Sequence, residues 1–361
     1  MAKKTLFSFE LEPGMVVFED VLDSSGRLVL AKGTTLDSEI ISKLEFFAIS
    51  EVPIDDAVNQ VSPKAEIIPE KSYTEKVKSS PEYRHFNADY NDILTLVKSN
   101  LDNLVNNGTP VDKTSLSKAI FCLIKDCKNT IQIFDIIYNL EPTDEAIYHH
   151  SLNVAVISVI LGSWLGYKRD VLERLAVAAI LHDIGKLTIP RGILNKSGRL
   201  TDEEFDIVKK HVNNGYNILI NHAMGSDIAD TALMHHERCD GSGYPFHYTL
   251  EQIPSFAKIV AIADVYDAMI SSRSYRTGMC PFDVLQIFDS EGLYKYDPQY
   301  IMTFMENIAS AYLHNNVLLS DGRTGEIIMI QRSCLHKPII KSGNSFINLM
   351  KENNLKIEQI L

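Results

Sequence analysis

The chain has 361 residues, of which 45% are hydrophobic, and its formal net charge is −12 at pH 7. This length predicts more than one domain, since single domains usually contain about 100–200 residues, and the composition excludes a globally disordered chain. The negative charge argues against polymeric DNA or RNA as a partner, because binding to the phosphate backbone needs a broad basic face.

Cysteine usage and the apolar segments predict a cytoplasmic protein. The five cysteines are odd in number and form no CxxC pair, so a disulfide framework is not expected. The first residues lack the apolar core of a signal peptide. The most apolar stretch, residues 152–165, is interrupted by polar residues and is shorter than the roughly 20 residues of a membrane span. We therefore predict a buried helix there and no membrane span.

The first 60 residues are predicted to form a small α+β module. Short apolar runs at residues 15–18 and 28–30 flank a Gly-containing turn signal, as expected of two strands. A helix is expected to begin after Thr35. Residues 61–82 mix Pro, Ser, Lys and Glu without a period, which is typical of a linker.

The centre of the chain has helical periodicity almost throughout. Residues 83–134 are predicted as a helical connecting region, in which Ile93, Val97 and Leu101 repeat at helical spacing. Residues 135–316 are predicted as the main helical domain. Its helices are expected at residues 145–166, 171–182, 202–219, 228–236 and 259–272. The tail, residues 317–361, changes to a strand, turn and strand pattern, so the predicted fold is mainly α with a short β-rich C-terminal extension.

A metal site is predicted from the positions of the histidines. Eight of the eleven lie between residues 149 and 247, at or near the ends of different predicted helices. Helical bundles build sites for more than one ion from inward-pointing ligands on facing helices. The candidates are His149 or His150, His182, Asp183, His211, His235, His236 and Asp264. One such histidine alone is more often a surface or core residue than a ligand, and only the joint pattern indicates a metal site.

The types of these side chains indicate which metals they suit. Mixed histidine and carboxylate ligands suit Fe, Mn, Ni, Co or Zn rather than Ca or Mg, which prefer oxygen. A carboxylate directly beside a histidine, as in His182-Asp183, can bridge two ions. Water held between two metal ions is a strong nucleophile at neutral pH.

Two motifs resemble those of a known family. Residues 182–186, His-Asp-Ile-Gly-Lys, resemble the signature of the HD phosphohydrolase superfamily. Residues 235–245, His-His-Glu-Arg-Cys-Asp-Gly-Ser-Gly-Tyr-Pro, closely resemble the second motif of its HD-GYP subfamily, whose members are bacterial phosphodiesterases of cyclic di-GMP. The resemblance covers about residues 135–310 and implies an HD-type helical bundle.

The resemblance also implies the roles of individual residues. Its metal ligands would be His150, His182, Asp183, His211, His235, His236 and Asp264. Asp183 would bridge two divalent ions, with Fe or Mn preferred and Ni, Co or Zn as alternatives. Lys186 would contact the scissile phosphate or protonate the leaving oxygen, although a solvated lysine at the helix end is the alternative interpretation.

The remaining implied contacts concern the substrate. Asp267 would hold a guanine edge. Arg273 and Arg276 would clamp a phosphate or a base through their planar guanidinium groups, with surface salt bridges as the alternative. The loop Gly243-Tyr244-Pro245 would contact substrate through Tyr244, and in the family it is also a proposed docking surface for diguanylate cyclase (GGDEF) domains.

The number of metal ions is expected to be two. Some family members hold a third metal with a glutamate four residues before the first histidine. Counting from His150, this position is Ala146, whereas Glu145 lies four residues before His149. We prefer His150 as the ligand, because His150-Ser151 followed by Val154 matches the family pattern.

The activity implied by the resemblance is hydrolysis of cyclic di-GMP to linear pGpG, with further cleavage to GMP left open. Two alternatives remain: an HD hydrolase of another cyclic dinucleotide or a nucleotide monophosphate, and a non-catalytic receptor or interaction module for cyclic di-GMP. The complete second motif favours a cyclic dinucleotide, and the presence of all seven implied ligands favours an enzyme. A homodimer is compatible with the sequence.

Overall fold

The computed structural model describes residues 3–7, 11, 14–22, 28–36, 40, 51–55, 77–125, 130–140, 145–194, 196, 198, 200–271, 278–352 and 354–361. The chain divides into two compact units, residues 1–70 and 71–361. The helix predicted after Thr35 lies outside the described residues apart from Ile40.

The first unit contains two antiparallel strand pairs around a small apolar core. β1 (Lys3–Phe7) and β4 (Glu51–Asp55) form one pair, and β2 (Val21–Leu22) and β3 (Leu28–Leu30) form the other. The core side chains are Leu11, Val17, Val21, Leu36, Val52 and Ile54. The prediction of a strand at residues 15–18 is wrong. Among the described residues, this segment makes only isolated β-bridges, from Val16 to Thr35 and from Val17 to Ile54.

The second unit begins with the helices α1 (Pro81–Asn107), α2 (Lys113–Lys125) and α3 (Thr130–Tyr138). α1 begins inside the segment predicted as a linker. Ser80 accepts a hydrogen bond from the backbone N–H of Tyr83, and Pro81 occupies the first helical position. Both are helix-start signals, and the linker prediction did not use them.

The helices that carry the candidate site follow in order. They are α4 (Ala146–Trp164), α5 (Arg169–Leu181), a 3-10 helix (Ile184–Thr188), α6 (Arg191–Leu194), α7 (Asp202–Lys209), α8 (His211–Asn221), α9 (Ser226–Met234) and α10 (Ser255–Ile270). The sequence predicted one helix over residues 202–219, whereas the structure has two. The interruption at Lys210 places His211 in the first turn of α8.

Helix α4 is the centre of the bundle and packs against both α5 and α10. It is the one described helix whose length and apolar composition would suffice to cross a membrane, and 67% of that window is buried inside the protein. A core helix passes the same test, and the continuous burial from Ser151 to Gly162 is that of a core helix, as the sequence predicted.

The chain ends in helices followed by a small sheet. The helices are α11 (Pro281–Ile287), a π-helical turn (Phe288–Gly292), α12 (Leu293–Lys295) and α13 (Pro298–Ala311). The strands are β5 (Asn316–Leu319), β6 (Thr324–Met329), β7 (Ile339–Ser342), β8 (Ser345–Asn348) and β9 (Ile357–Ile360).

The sheet is antiparallel in the order β8-β7-β6-β5-β9. Side chains from its inner face, including Val317, Ile327 and Ile340, belong to the same apolar core as the helices. The prediction of a mainly α fold with a β-rich C-terminal extension is therefore confirmed. The sequence pattern identified only the first hairpin of this sheet, β5 and β6.

Candidate metal centre

Seven side chains from five segments of the helical bundle meet at one place. His150 lies in the first turns of α4, His182 and Asp183 follow α5, and Asp264 lies on α10. His211 begins α8, and the pair His235-His236 follows α9. These are the seven residues that the sequence predicted as metal ligands, and the structure brings all of them together.

A glycine allows two of these segments to approach closely. A Cβ atom added to Gly185 would lie 1.9 Å from the carbonyl oxygen of His211 and 2.6 Å from the backbone nitrogen of Gly215. Any larger residue at position 185 would therefore push the 3-10 helix away from α8. This contact holds His182 and Asp183 next to His211.

The seven side chains form two clusters. Within each cluster, the atoms that could bind a metal ion lie within 4.8 Å of one another. The first cluster contains Asp183, His211, His235 and His236, and the second contains His150, His182 and Asp264. Each cluster offers both imidazole and carboxylate donors, the mixture that suits first-row transition metals.

Asp183 lies between the clusters and presents one carboxylate oxygen to each. Its Oδ1 is 3.3 Å from Nε2 of His211 and 3.6 Å from Nε2 of His235. Its Oδ2 is 3.4 Å from Nε2 of His182 and 3.6 Å from Nε2 of His150. Two ligand atoms held at about 2.0–2.2 Å from one ion lie about 3–3.6 Å apart, so this arrangement suits a carboxylate that bridges two ions.

Hydrogen bonds fix the orientation of the imidazole rings. Nδ1 of His182, His211 and His235 donates to the carbonyl oxygens of Ala179, Val208 and Ala232, at 2.7, 2.6 and 3.0 Å. Nδ1 of His150 instead donates to Oδ2 of Asp267 at 2.7 Å. Donation from Nδ1 leaves Nε2 of each ring to face the centre, as metal-binding histidines are usually arranged.

Four of the atoms that face the centre have no hydrogen-bond partner among the described residues. Nε2 of His182, His211 and His235 and Oδ1 of Asp183 are buried and accept no hydrogen bond from the described residues. Buried polar atoms are rarely left unsatisfied, because the loss of hydration costs about 1–3 kcal/mol per group. Four such atoms converging on one point fit bound metal ions.

The protonation states also suit metal binding. Burial lowers the pKa of His211 to about 4 and lowers that of His235, which keeps both rings neutral at pH 7. Burial raises the pKa of Asp183, but the charge of Lys186 and the electrostatic effect of His182 outweigh burial and hold the pKa well below its usual range. Ionised carboxylates and neutral imidazoles are the forms that bind metal.

His150 differs in its protonation. Burial lowers its pKa, but hydrogen bonds to Asp264 and Asp267 outweigh burial and raise it to about 10. Its Nε2 lies 2.9 Å from Oδ1 of Asp264. A metal ion at the second cluster would therefore displace a proton from this nitrogen.

Two of the predicted substrate-binding residues, Lys186 and Tyr244, lie beside the two clusters. Lys186 lies at the mouth of the centre, with its side chain 22% exposed and its Nζ 2.5 Å from Oδ2 of Asp183. The ring of Tyr244 lies 4.8 Å from that of His236 and is half-buried. Both positions suit contact with a bound substrate. Arg273 and Arg276 lie outside the described residues.

Asp267, which was predicted to hold a guanine edge, is buried and makes hydrogen bonds within the protein. Asp267 is only 2% exposed. Its Oδ2 accepts from His150, and its Oδ1 accepts from Nδ2 of Asn153 at 2.8 Å and from Oγ of Ser271 at 3.0 Å. The carboxylate thus lies behind a candidate ligand and not in the open space before it, a position that suits orientation of His150.

The alternative register with His149 places a histidine outside both clusters. His149 packs against the ring of Tyr90, at 5.5 Å between centroids, and its Nδ1 lies 3.3 Å from the Tyr90 hydroxyl. Glu145 forms an ion pair with Lys98, and Ala146 has no donor atom. The described residues before His150 therefore add no carboxylate to the centre.

Glu237 is a residue of the site that sequence reasoning missed. It is 2% exposed, and its carboxylate accepts from the backbone N–H groups of Phe246 and Tyr248 at 2.7 and 3.0 Å. These bonds fold the loop that carries Tyr244 back onto the end of α9. A Cβ atom at Gly243 would lie 2.3 Å from the backbone nitrogen of Arg238, so the loop also needs glycine there.

Comparison with known proteins agrees with this geometry. Residues 139–300 match the HD domain family model. A cyclic di-GMP phosphodiesterase of Pseudomonas aeruginosa is 35% identical over 203 residues, which cover 56% of this chain and 49% of that protein. A cyclic di-GMP phosphodiesterase of Thermotoga maritima is 34% identical over 203 residues, covering 53% of this chain and 55% of that protein.

A third relative is named for a different substrate. The 3'3'-cGAMP-specific phosphodiesterase 2 of Vibrio cholerae is 36% identical over 160 residues, covering 43% of this chain and 30% of that protein. The chain spans about half the length of the first two relatives, 49% and 55%, and about a third of the third, 30%. The likeness therefore concerns the helical domain and not the relatives as wholes.

Proposed function

We propose that this chain is a metal-dependent phosphodiesterase that hydrolyses cyclic di-GMP to linear pGpG. The match of residues 139–300 to the HD domain family model supports this reaction class. The relatives named as cyclic di-GMP phosphodiesterases support the substrate. The two ligand clusters support the chemistry. Hydrolysis of pGpG to GMP would repeat the same reaction on the first product.

The observation that carries the proposal is the position of Asp183 between the two clusters. Its oxygens face Nε2 of His211 on one side and Nε2 of His182 on the other. Two divalent ions held by these clusters would supply positive charge to the phosphate oxygens and lower the pKa of water. Fe or Mn would suit the donor set, with Ni, Co or Zn as alternatives.

The residues around the ions would position the substrate. Lys186 has its ammonium beside Asp183, where it would contact the scissile phosphate and donate a proton to the leaving oxygen. Tyr244 would contact the substrate from the side of His236. Arg273 and Arg276 would clamp a phosphate or a base, as the family resemblance implies.

The loop Gly243-Tyr244-Pro245 would also serve as a docking surface for a GGDEF domain. Phe246 follows this loop, is 46% exposed and stacks on Tyr248 at 5.0 Å between ring centroids. Exposed aromatic residues are enriched at protein interfaces. The four described cysteines are free thiols, which agrees with a cytoplasmic setting for this signalling reaction. A homodimer is also compatible with the proposal.

The test is hydrolysis of cyclic di-GMP by protein purified without oxygen, with metal content measured on the same sample. His182→Ala removes one ligand, and His222→Ala is the matched control, since His222 lies at the end of α8 outside both clusters. We expect turnover and about two ions per chain in wild type and in the control, and loss of turnover in His182→Ala.

Two other results would change the proposal. Hydrolysis of 3'3'-cGAMP but not of cyclic di-GMP would favour the alternative substrate, which the Vibrio cholerae relative suggests. Tight binding of cyclic di-GMP without turnover, by protein that carries both ions, would favour a receptor.

A further inference from the structure

A chain of hydrogen bonds connects helix α1 to the second cluster. The hydroxyl of Tyr90, on α1, donates to Oδ1 of Asn153 at 2.7 Å. Nδ2 of Asn153, on α4, donates to Oδ1 of Asp267 at 2.8 Å. Oδ2 of Asp267, on α10, accepts from Nδ1 of His150 at 2.7 Å. Three helices thus contribute one side chain each to the support of a single candidate ligand.

The direction of each hydrogen bond is determined by chemistry. An ionised carboxylate only accepts, so Asn153 must turn its NH₂ group toward Asp267. The amide oxygen of Asn153 then faces Tyr90 and needs a donor, which the phenol supplies. Burial, together with the charge of Asp267, raises the pKa of Tyr90 well above its usual value, so the hydroxyl keeps its proton. The chain has one consistent arrangement.

The burial of the three supporting residues makes this arrangement costly to lose. Tyr90 is 1%, Asp267 2% and Asn153 5% exposed. Loss of one partner would leave the next polar group buried without a hydrogen bond, at about 1–3 kcal/mol. Water from solvent reaches these positions poorly, so the protein itself must complete the chain.

We propose that Tyr90 and Asn153 are positioning residues of the metal centre, which hold Asp267 and thereby fix the imidazole of His150. This inference rests on the proposed function in so far as His150 binds metal. It makes the position of α1 a determinant of metal affinity at the second cluster. Among the described residues, His211 and His235 in the first cluster do not depend on another part of the fold in this way, because carbonyl oxygens three residues earlier in the chain orient both rings.

Other contacts between α1 and α4 separate this role from simple packing. Lys98 pairs with Glu145, and Oδ1 of Asp102 accepts from the hydroxyl of Tyr148 at 2.5 Å. These contacts join the same two helices but do not lead to the centre. Tyr148→Phe therefore weakens the helix contact while leaving the support of His150 in place.

The experiment measures metal affinity in Tyr90→Phe, which removes the phenol oxygen, and in Asn153→Leu, which replaces the amide oxygen and nitrogen with two methyl groups. The matched controls are Tyr148→Phe and Tyr83→Phe. Tyr83 lies on α1, is buried, and donates to the carbonyl oxygen of Asn139. Each variant is titrated with Mn²⁺, and the dissociation constants of the tighter and weaker ions are determined separately.

We expect Asn153→Leu to weaken one ion by about 10–100-fold, the usual effect of removing a residue that supports a ligand. Tyr90 lies one hydrogen bond further from His150 than Asn153 does. Tyr90→Phe is therefore expected to weaken the binding of the same ion by a smaller factor, about 10-fold or slightly less. The other ion and both control variants are expected to keep the wild-type affinity. The protein is labelled with ¹⁵N-histidine and loaded with Zn²⁺. In this sample, Asn153→Leu is expected to shift the Nδ1 signal of His150 and to leave the signals of the other histidines of the centre unchanged.

Two results would overturn the inference: equal affinities in Tyr90→Phe and wild type, or equal losses in Tyr90→Phe and Tyr83→Phe. The proposed function is tested separately, by turnover of wild type. Metal affinities that change as expected in a protein unable to hydrolyse cyclic di-GMP would support the positioning role and reject the substrate. Normal turnover of cyclic di-GMP by wild type, together with unchanged metal affinities in the variants, would support the proposed function and reject the positioning role.

Discussion

His150 differs from His182, His211 and His235 in what holds its imidazole ring in place. The three other rings donate to carbonyl oxygens three residues earlier in their own segments. The ring of His150 donates to Asp267, which lies on another helix and 117 residues later in the chain. Local support comes from residues that are neighbours in the chain, whereas the support of His150 exists only in the assembled bundle.

The two clusters should therefore respond differently to substitutions outside their ligands. Changes in packing between α1, α4 and α10 should reach the second cluster, through Asp267. The first cluster should respond to changes that move whole segments, such as a substitution at Gly185, which contacts α8. The following experiments test this difference.

Asp183→Asn should have the largest effect, because Asp183 is shared by both clusters. An amide carries no charge and has a single oxygen, so it cannot bridge two ions. We expect metal content to fall from about two ions per chain to well below one, and turnover to fall at least about 1000-fold. Metal analysis and a hydrolysis assay measure this, with Asp170→Asn, at an exposed position on α5, as the control.

His211→Ala and His150→Ala should separate the clusters. Each removes a ligand from one cluster only, so each variant is expected to keep about one ion per chain. Titration with Mn²⁺ should show loss of a different site in the two variants. Loss of both ions in either variant would mean that the clusters act as one unit, and would contradict the comparison.

Asp267→Asn should weaken the ion at the second cluster by about 10–100-fold and leave the other within about twofold. An amide at position 267 cannot accept equally well from both His150 and Asn153. Ser271→Ala serves as the graded control, because it removes only the third donor to Asp267, at 3.0 Å, and should have a smaller effect. A uniform weakening of both ions would show that Asp267 supports the bundle as a whole.

Gly185→Ala should affect stability as well as metal binding. The added methyl group would overlap the backbone of His211, and relief of such overlap costs about 1–3 kcal/mol. Urea unfolding of the metal-free protein measures this loss. Gly192→Ala is the control, since a Cβ there meets nothing within 4 Å. Equal stability of the two variants would show that the 3-10 helix and α8 can separate freely.

The residues of the metal centre could largely be predicted from the sequence. His182-Asp183 and His235-His236 stand in contiguous motifs at helix ends, and residues that are adjacent in the chain can be recognised directly in the sequence. The helical periodicity likewise predicted α4, α5, α9 and α10 within a few residues, because the apolar face of a helix repeats locally.

The tertiary structure decided how the ligands divide and what supports them. The contact of Asp267 with His150 was not predicted, because the spacing of Asp267 from Asp264 describes only its own helix and not the neighbouring His150. Tyr90 and Asn153 went unnoticed for the same reason. Hydrogen bonds between helices join residues that are 63 to 117 positions apart, and no local pattern records such pairs.

The β-strands of the C-terminal sheet show the same limit. The sequence alone determined a mainly helical protein with a cluster of histidine and aspartate side chains of the types that bind metal, and one C-terminal hairpin. Only the fold decided that β7, β8 and β9 extend that hairpin into a sheet on the helical core, and that two clusters share Asp183. Helix formation depends on neighbours within one turn, whereas strand pairing and ligand geometry depend on contacts that only the folded chain creates.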